Sequence, residues 1–576
     1  MNVPEKSGSA VQNPPGSDGS TGHTESTESI GPNSPNGSSD GNEPTAVGLG
    51  KTELASDGMT AAELLQQAQR HAQSGRFDEM LACLNELQVG GPAPSVDTLL
   101  SVGALLASFG FLSGASQAYE EAIKRAPNDL RARINLANVL RDASRHEVAR
   151  HIYDDLIRVL PDHPVIRRNA LTGLEYDPGV SDAERLEQVK AWGQWAVKRV
   201  GGARPRPPLI TLDGRCLRIG YVSADFCQHT VGLFVKAVLA AHNKSRVQVF
   251  AYSAGLVKDW VTHQIRAATE FRDVAGLDDS QLAKLIQDDA IDVLVDLSGH
   301  TAGSRLTVFA LRPAPVLVSW LGYFASTGLP YMDAVLLDQW HAPEGSQAQF
   351  VEPVVNLPRG RFCYEPVAWA PVDVSPPPCV KNGFITFGCF NNTAKFNEQV
   401  FIVWAEILAS VAESRLILKW RTFNDRAYCE QVTSWFVNHG IAAERLELRG
   451  PSFHGDLLKE YADIDICLDP FPFTGGLTSC EALWMGVPVI TWPQSRVVSR
   501  QTFAFLSAAG LPELAAHDAQ GYVQLATHLA HDIDRLVELR GTLREKMRNS
   551  VLMDVPGFVT ALENTLIDIY LRTQGT

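Results

Sequence analysis

An all-α solenoid followed by an α/β body of two doubly wound, parallel lobes is the fold class this sequence predicts, on three observations. The first is a helical repeat: Leu106, Ala115, Tyr119, Ile123 and Pro127 recur as Leu140, Ala149, Tyr153, Ile157 and Pro161, each displaced by 34 residues. Small residues let helices cross closely, aromatic rings fill the space between them, and a proline ends each unit. The second is a change of alphabet after the Pro-rich stretch 201–209, beyond which short apolar runs alternate with helical patterns. Strands apolar on both faces belong to a parallel sheet covered by helices. The third is the stretch 464–492: an apolar run at 464–468, a glycine turn at Gly475-Gly476, a helix beginning near Thr478 and a second apolar run at 487–492. Strand, glycine turn and helix bring backbone amides to a point where an anion such as a nucleotide diphosphate can sit.

Composition bounds the rest. A chain of 576 residues, 45% of them hydrophobic, holds two to four domains with substantial cores. A net charge of −15 argues against a general binder of nucleic acid or anionic membranes, while leaving room for a local basic pocket. Nine cysteines without a CxxC pair or metal-like clustering point to free thiols in a reducing compartment. The start, Met1-Asn-Val-Pro-Glu-Lys6, has no signal-type apolar stretch, and no run is long enough to span a bilayer. The expectation is a soluble, cytoplasmic protein.

In chain order, residues 1–57 are rich in Gly, Ser, Asn, Pro, Thr and Glu and contain no aromatic residue, so a disordered tail is expected. Residues 58–200 carry the repeats, with a weaker unit at 64–87 turning at Gly75-Arg76-Phe77 and a degenerate one at 162–200 with a helix around 183–197. This region resembles the tetratricopeptide repeat, whose stacked helix pairs form a groove for extended peptide; the alternative is a rigid cap packed on the body. A linker at 201–210 leads to a first α/β domain, 211–365, with strands expected at 217–222, 248–253, 291–297, 316–321 and 334–338 and helices near 232–241 and 280–289. A crossover at 366–380 leads to a second, 381–576, with strands at 384–390, 415–420 and 445–448, helices at 398–408 and 426–437, the glycine-turn unit and closing helices. Two such domains hold a ligand in the cleft at the carboxyl ends of their strands.

Several segments, taken together, carry a resemblance. They are Arg218-Ile-Gly-Tyr-Val-Ser-Ala-Asp-Phe-Cys-Gln-His229, Asp296-Leu-Ser-Gly-His300, Phe309-Ala-Leu-Arg-Pro-Ala-Pro315 with Trp320-Leu-Gly-Tyr323, Phe390-Asn-Asn-Thr-Ala-Lys395, and 469–493. With the repeats, they resemble the O-linked N-acetylglucosamine transferase and SPINDLY family of glycosyltransferases. The resemblance implies a tetratricopeptide solenoid followed by a GT-B body of two Rossmann-like domains. It also implies metal-independent, inverting transfer of a sugar from a nucleotide diphosphate to Ser or Thr of proteins, with no cofactor.

It further implies site residues. His229 matches the histidine beside donor and acceptor, and the sequence leaves open whether it is also the general base. Lys395 matches the lysine that contacts the donor diphosphate, where a cation offsets charge on the leaving group. Asn392, Gly475, Gly476, Leu477, Thr478 and Ser479 fall in the nucleotide-sugar-binding segments, and Glu481 matches the acidic residue that accepts hydrogen bonds from ribose hydroxyls; first-turn stabilisation of its helix is the alternative. His300, Arg312, Trp320, Tyr323 and Arg500 are candidates for the cleft wall or the acceptor side, with a structural alternative for His300, Arg312 and Arg500. The expected function is a protein O-glycosyltransferase using UDP-N-acetylglucosamine, with protein or peptide acceptors. Two alternatives stand beside it. Leu477 replaces a polar residue common in relatives, a pattern partly toward SPINDLY-like proteins, some of which transfer fucose from GDP-fucose. An inactive transferase body on a repeat scaffold is the other.

Overall fold

The computed structural model describes residues 59–89 and 94–574; the tail expected to be disordered, 1–57, lies outside the described residues. Eight helices form the first layer: α1 (Ala61–Gln73), α2 (Phe77–Val89), α3 (Val96–Ser108), α4 (Leu112–Arg125), α5 (Leu130–Asp142), α6 (His146–Val159), α7 (Pro164–Tyr176) and α8 (Asp182–Arg199). Local sequence starts them: Thr60 with Glu63 and Ser181 with Glu184 close capping boxes, Ser95 and Asp129 cap α3 and α5, and Pro164 opens α7. The repeated Ala115, Ala149, Tyr119 and Tyr153 are buried in one continuous core between the pairs.

The first lobe is a seven-stranded parallel sheet of β1 (Leu217–Ser223), β2 (Val247–Ser253), β3 (Glu270–Asp273), β4 (Val293–Asp296), β5 (Val316–Trp320), β6 (Ala334–Leu337) and β7 (Val354–Asn356), ordered β3-β2-β1-β4-β5-β6-β7. The second is a five-stranded parallel sheet of β8 (Thr386–Cys389), β9 (Arg415–Lys419), β10 (Leu446–Arg449), β11 (Ile466–Leu468) and β12 (Val489–Ile490), ordered β10-β9-β8-β11-β12. The register puts Ile219 between Val249 and Val293, and Gly388 between Ile417 and Cys467. β4, β5, β6 and β8 are buried along their whole length, which is why their sequences read as continuous apolar runs. β3 and β7, not anticipated from the sequence, are the edge strands Glu-Phe-Arg-Asp and Val-Val-Asn, half exposed and without such a run.

Strand order reverses at β1 in the first sheet and at β8 in the second, since each is the strand from which the sheet grows in both directions. Loops leaving the carboxyl ends of such strands form a crevice for ligands. The last helix, Val555–Gln574, was expected among elements closing the second domain; it returns to the first. Phe558 stacks on Trp320 at 6.0 Å, His242 donates from Nδ1 to Glu563 at 3.0 Å, and the Tyr570 hydroxyl reaches Asp292 at 3.2 Å. An apolar face with no partner in its own lobe is buried by the open face of the other.

The repeats lie against both lobes. Arg496 donates to the carbonyls of Leu174 at 3.2 Å and Asp177 at 3.0 Å, as well as to Val180, and Thr172 donates to the His300 carbonyl at 2.6 Å. Helix α8 meets the first lobe at Gly193, where a Cβ would stand 1.8 Å from the Gly328 carbonyl oxygen, so only glycine permits the approach. Among the described residues no helix is long and apolar enough to cross a membrane, and no group of three or more His, Cys, Asp or Glu is arranged to hold a metal ion. All nine cysteines are free thiols.

Candidate active site

Between the lobes lies a cleft of about 1110 Å³, including the part open to solvent. The first lobe lines it with Asp225, His229, Thr301, Ala302 and Tyr323; the second with Asn391, Asn392, Lys395, Gly476, Leu477, Thr478 and Gln501; and α7 of the repeats with Thr172, Glu175 and Tyr176. His229 and Lys395 thus face one space from opposite lobes, each on the loop after its sheet's switch-point strand.

His229 is the N-cap of the helix α9 (Thr230–Ala241). Its Nδ1 accepts from the Val231 amide at 3.3 Å and stands 3.7 Å from the Asp225 carboxylate, and the side chain is 13% exposed. With Nδ1 accepting, a neutral ring carries its proton on Nε2 and donates from it. A ring that turned Nδ1–H toward Asp225 would free Nε2 to take a proton.

Lys395 ends a 3₁₀ turn, Thr393–Lys395, capped by Asn392, whose side-chain oxygen accepts from the Ala394 amide at 3.0 Å. Its ammonium donates to Asn391 Oδ1 and to the Thr474 carbonyl, each at 2.9 Å, and lies 4.8 Å from the centre of the Phe473 ring. The Thr478 hydroxyl donates to the same Asn391 oxygen at 3.1 Å. The glycine turn begins at the end of β11, where Asp469 accepts from the Gly475 amide at 2.6 Å and the Thr491 hydroxyl at 2.7 Å. A Cβ on Gly475 would fall 2.1 Å from Ser479 Oγ, so a larger residue there would have to displace that buried hydroxyl. Gly476 then caps the helix Leu477–Trp484, whose first amides have no carbonyl one turn earlier and carry the positive end of the helix dipole. An ammonium and a helix N-terminus in one corner are two features that favour an anion.

Other expected residues sit elsewhere. Ser479 is buried and shares a hydrogen bond with Thr502 at 2.8 Å, behind the turn. Glu481 is 2% exposed, accepts from His454 Nε2 at 2.7 Å, and is not among the lining residues. Tyr323 lines the cleft, but four of its companion candidates do not. His300 is enclosed between Trp192 of α8 and Tyr323, donates from Nε2 to the Thr327 carbonyl at 3.0 Å, and is pushed down to about 3 by burial. Arg312 lies before the amino end of β5, opposite the cleft, with its guanidinium 5.2 Å from the Tyr331 ring centre and its backbone left-handed at φ 53°. Trp320 is core, donating to the Arg361 carbonyl at 3.0 Å. Arg500 donates to the Trp340 carbonyl of the first lobe at 2.6 Å, a tie between lobes. Sequence reasoning assigned no role to Asp225, Asn391 or Gln501; the first two stand inside the motifs of His229 and Lys395, four residues before each, and that proximity was the available signal.

The sequence profile of glycosyl transferase family 41 matches residues 206–366 and 379–562. The probable UDP-N-acetylglucosamine–peptide N-acetylglucosaminyltransferase SPINDLY of Petunia hybrida is 36% identical over 422 residues, covering 72% of this chain and 45% of its own. Its counterpart in Arabidopsis thaliana is 34% identical over 426 residues, covering 72% and 46%. The chain spans about half the length of the curated relatives it matches. A solved structure of a Thermobaculum terrenum O-GlcNAc transferase, a lysine-to-methionine mutant, is similar with a TM-score of 0.79 at 32% identity, covering 89% of this chain and 98% of that one. Coverage of that size takes in the repeats and both Rossmann-like lobes. By the profile over both lobes and the likeness along the whole body, the chain belongs to glycosyl transferase family 41.

Proposed function

We propose that this chain is an inverting protein O-glycosyltransferase that moves N-acetylglucosamine from UDP-N-acetylglucosamine to Ser or Thr hydroxyls of proteins. The observation that carries the proposal is the convergence of His229 and Lys395 on one cleft, with a helix N-terminus beside the lysine. The donor diphosphate binds at Lys395 and the amides after Gly476, and the acceptor hydroxyl approaches from the side of His229. The bond from the anomeric carbon to the phosphate oxygen breaks as the bond to the acceptor oxygen forms on the opposite face. The leaving diphosphate's charge meets the ammonium and the helix dipole, while the hydroxyl proton passes to His229 Nε2 or to water that this ring orients. The nine free thiols are in keeping with a cytoplasmic setting.

GDP-fucose is the second donor reading, favoured by Leu477, an apolar side chain lining the cleft where a polar one is common in the resembled family. Titration calorimetry with UDP, GDP, UDP-N-acetylglucosamine and GDP-fucose decides between them. Preference for GDP reverses the donor, and binding of none leaves a scaffold. Incubation with donor and a cell lysate, read by intact-mass shifts, tests transfer. His229→Ala and Lys395→Met are each expected to slow it by roughly a hundredfold or more, the scale of removing one preorganised electrostatic group. Unchanged turnover in both variants ends the proposal.

A further inference from the structure

The turn that carries Lys395 is gripped from outside its own lobe. The link between α5 and α6 runs under it, with Ser144 in the left-handed region at φ 66°. Ser144 Oγ donates to the Thr393 carbonyl at 2.7 Å, and Thr393 Oγ1 donates back to the Asp142 carbonyl at 2.9 Å. His146 bonds the Phe396 carbonyl at 3.0 Å; a carbonyl only accepts, so the ring carries its proton on Nε2. The repeats thus hold the backbone on both sides of Lys395. A second contact reaches its ammonium. Tyr176, the last residue of α7, stacks on Phe473 with ring centres 4.5 Å apart, and Phe473 is the ring against which the Lys395 ammonium lies. Tyr176, Ala394, Phe473 and Val498 form a small buried cluster of their own, apart from the large cores, with Phe324 of the first lobe packed against it.

We infer that Ser144, His146 and Tyr176 are positioning residues for Lys395, so that the helical repeats are a working part of the donor's phosphate site. This rests on the proposed reading of Lys395 as the diphosphate's cation. Ordinary docking contacts would be scattered, and others are: Asn424 donates to the Phe109 carbonyl at 3.2 Å, far along the chain from the lysine turn. These three instead converge on residues 393–396 and on a ring that lies against the ammonium. A lysine whose stem and head are both fixed loses less freedom on meeting a phosphate.

The test compares a nucleoside diphosphate, UDP or GDP as the wild-type chain prefers, with its bare nucleoside by titration calorimetry. Ser144→Gly suits the left-handed backbone and removes the hydroxymethyl group with its donor; His146→Leu removes the donor; Tyr176→Leu removes the ring. Each is expected to raise the diphosphate Kd roughly three- to tenfold, part of one charge-assisted hydrogen bond, with the nucleoside Kd unchanged. Tyr176→Phe and His146→Gln, which keep the ring and the donor, restore binding, and Asn424→Ala behaves as wild type. Adding Lys395→Met to any of the three removes its effect, because the residues act through that lysine. Equal losses for diphosphate and nucleoside, full additivity with Lys395→Met, or no effect of Ser144→Gly overturns the inference. If wild type and Lys395→Met bind the diphosphate alike, the functional proposal fails first and takes this with it.

Discussion

Asp469→Asn separates the stability of the glycine turn from its use. The Asp469 side chain is 1% exposed, and burial lifts its carboxyl from 3.8 to about 6 although Thr491, Thr502, the Gly475 amide and the charge of Lys395 all pull it down. A carboxyl raised on folding stabilises the fold fully below its unfolded value; that contribution is lost as pH rises to the folded value and is flat above it. At about 1.4 kcal/mol per pH unit, the gap makes the buried carboxylate cost roughly 3 kcal/mol near pH 8. Asparagine is the neutral isostere: its carbonyl accepts from Gly475, and its amide meets the Thr491 hydroxyl. The variant should melt several degrees above wild type at pH 8, with the difference shrinking through pH 6 and gone near pH 4. A neutral carbonyl holds the Gly475 amide about half as firmly as a carboxylate, so nucleoside diphosphate binding weakens by about 1 kcal/mol, or about fivefold. Scanning calorimetry across that pH range and a diphosphate titration at pH 8 read both effects. A melting difference of the same size at every pH, or a variant less stable at pH 8, would falsify the charge-burial argument.

Two further outcomes follow from buried groups outside the turn. His300 is held neutral by burial, with Arg168 adding repulsion, so wild type loses stability as pH falls below 6.5. Against His300→Gln, which keeps a donor for the Thr327 carbonyl, wild type should lose about 2 kcal/mol between pH 7.5 and 5, and a pH-independent gap would rule this out. Arg496→Met strips the donor from the carbonyls of Leu174, Asp177 and Val180, at a cost of about 3 kcal/mol. The expected result is a lower melting point and faster proteolysis between α7 and α8; an unchanged melting point would mean the repeats are held mainly by other contacts.

Much of the architecture is local and therefore legible in the sequence. Ala115 and Tyr119 repeat 34 residues later because each helix pair buries the same small and aromatic positions. β4, β5 and β8 announce themselves because both of their faces are covered, whereas β3 and β7 at the edge of their sheet are half exposed and leave no periodic trace. His229 and Lys395 are readable through the motifs that carry the family resemblance, each a few residues past the first strand of its lobe, where a loop must leave the sheet. The glycine turn is readable because Gly475-Gly476 stands between an apolar run and a helix start.

What the linear pattern leaves undecided is which way a side chain turns when partners from distant segments compete for it. His300 looks like a cleft residue until Trp192 of α8 closes over it, Trp320 until Phe558 of the last helix stacks on it, and Arg500 until the Trp340 carbonyl draws it across the lobes. The sequence by itself determined the two lobes, the repeats and the loops that bear the candidate groups, since periodicity and turn chemistry act over a few residues. Only the tertiary structure decided that α7 walls the cleft and that Tyr176 reaches the ring beside Lys395, because those contacts join positions some 300 residues apart whose meeting depends on how whole layers pack.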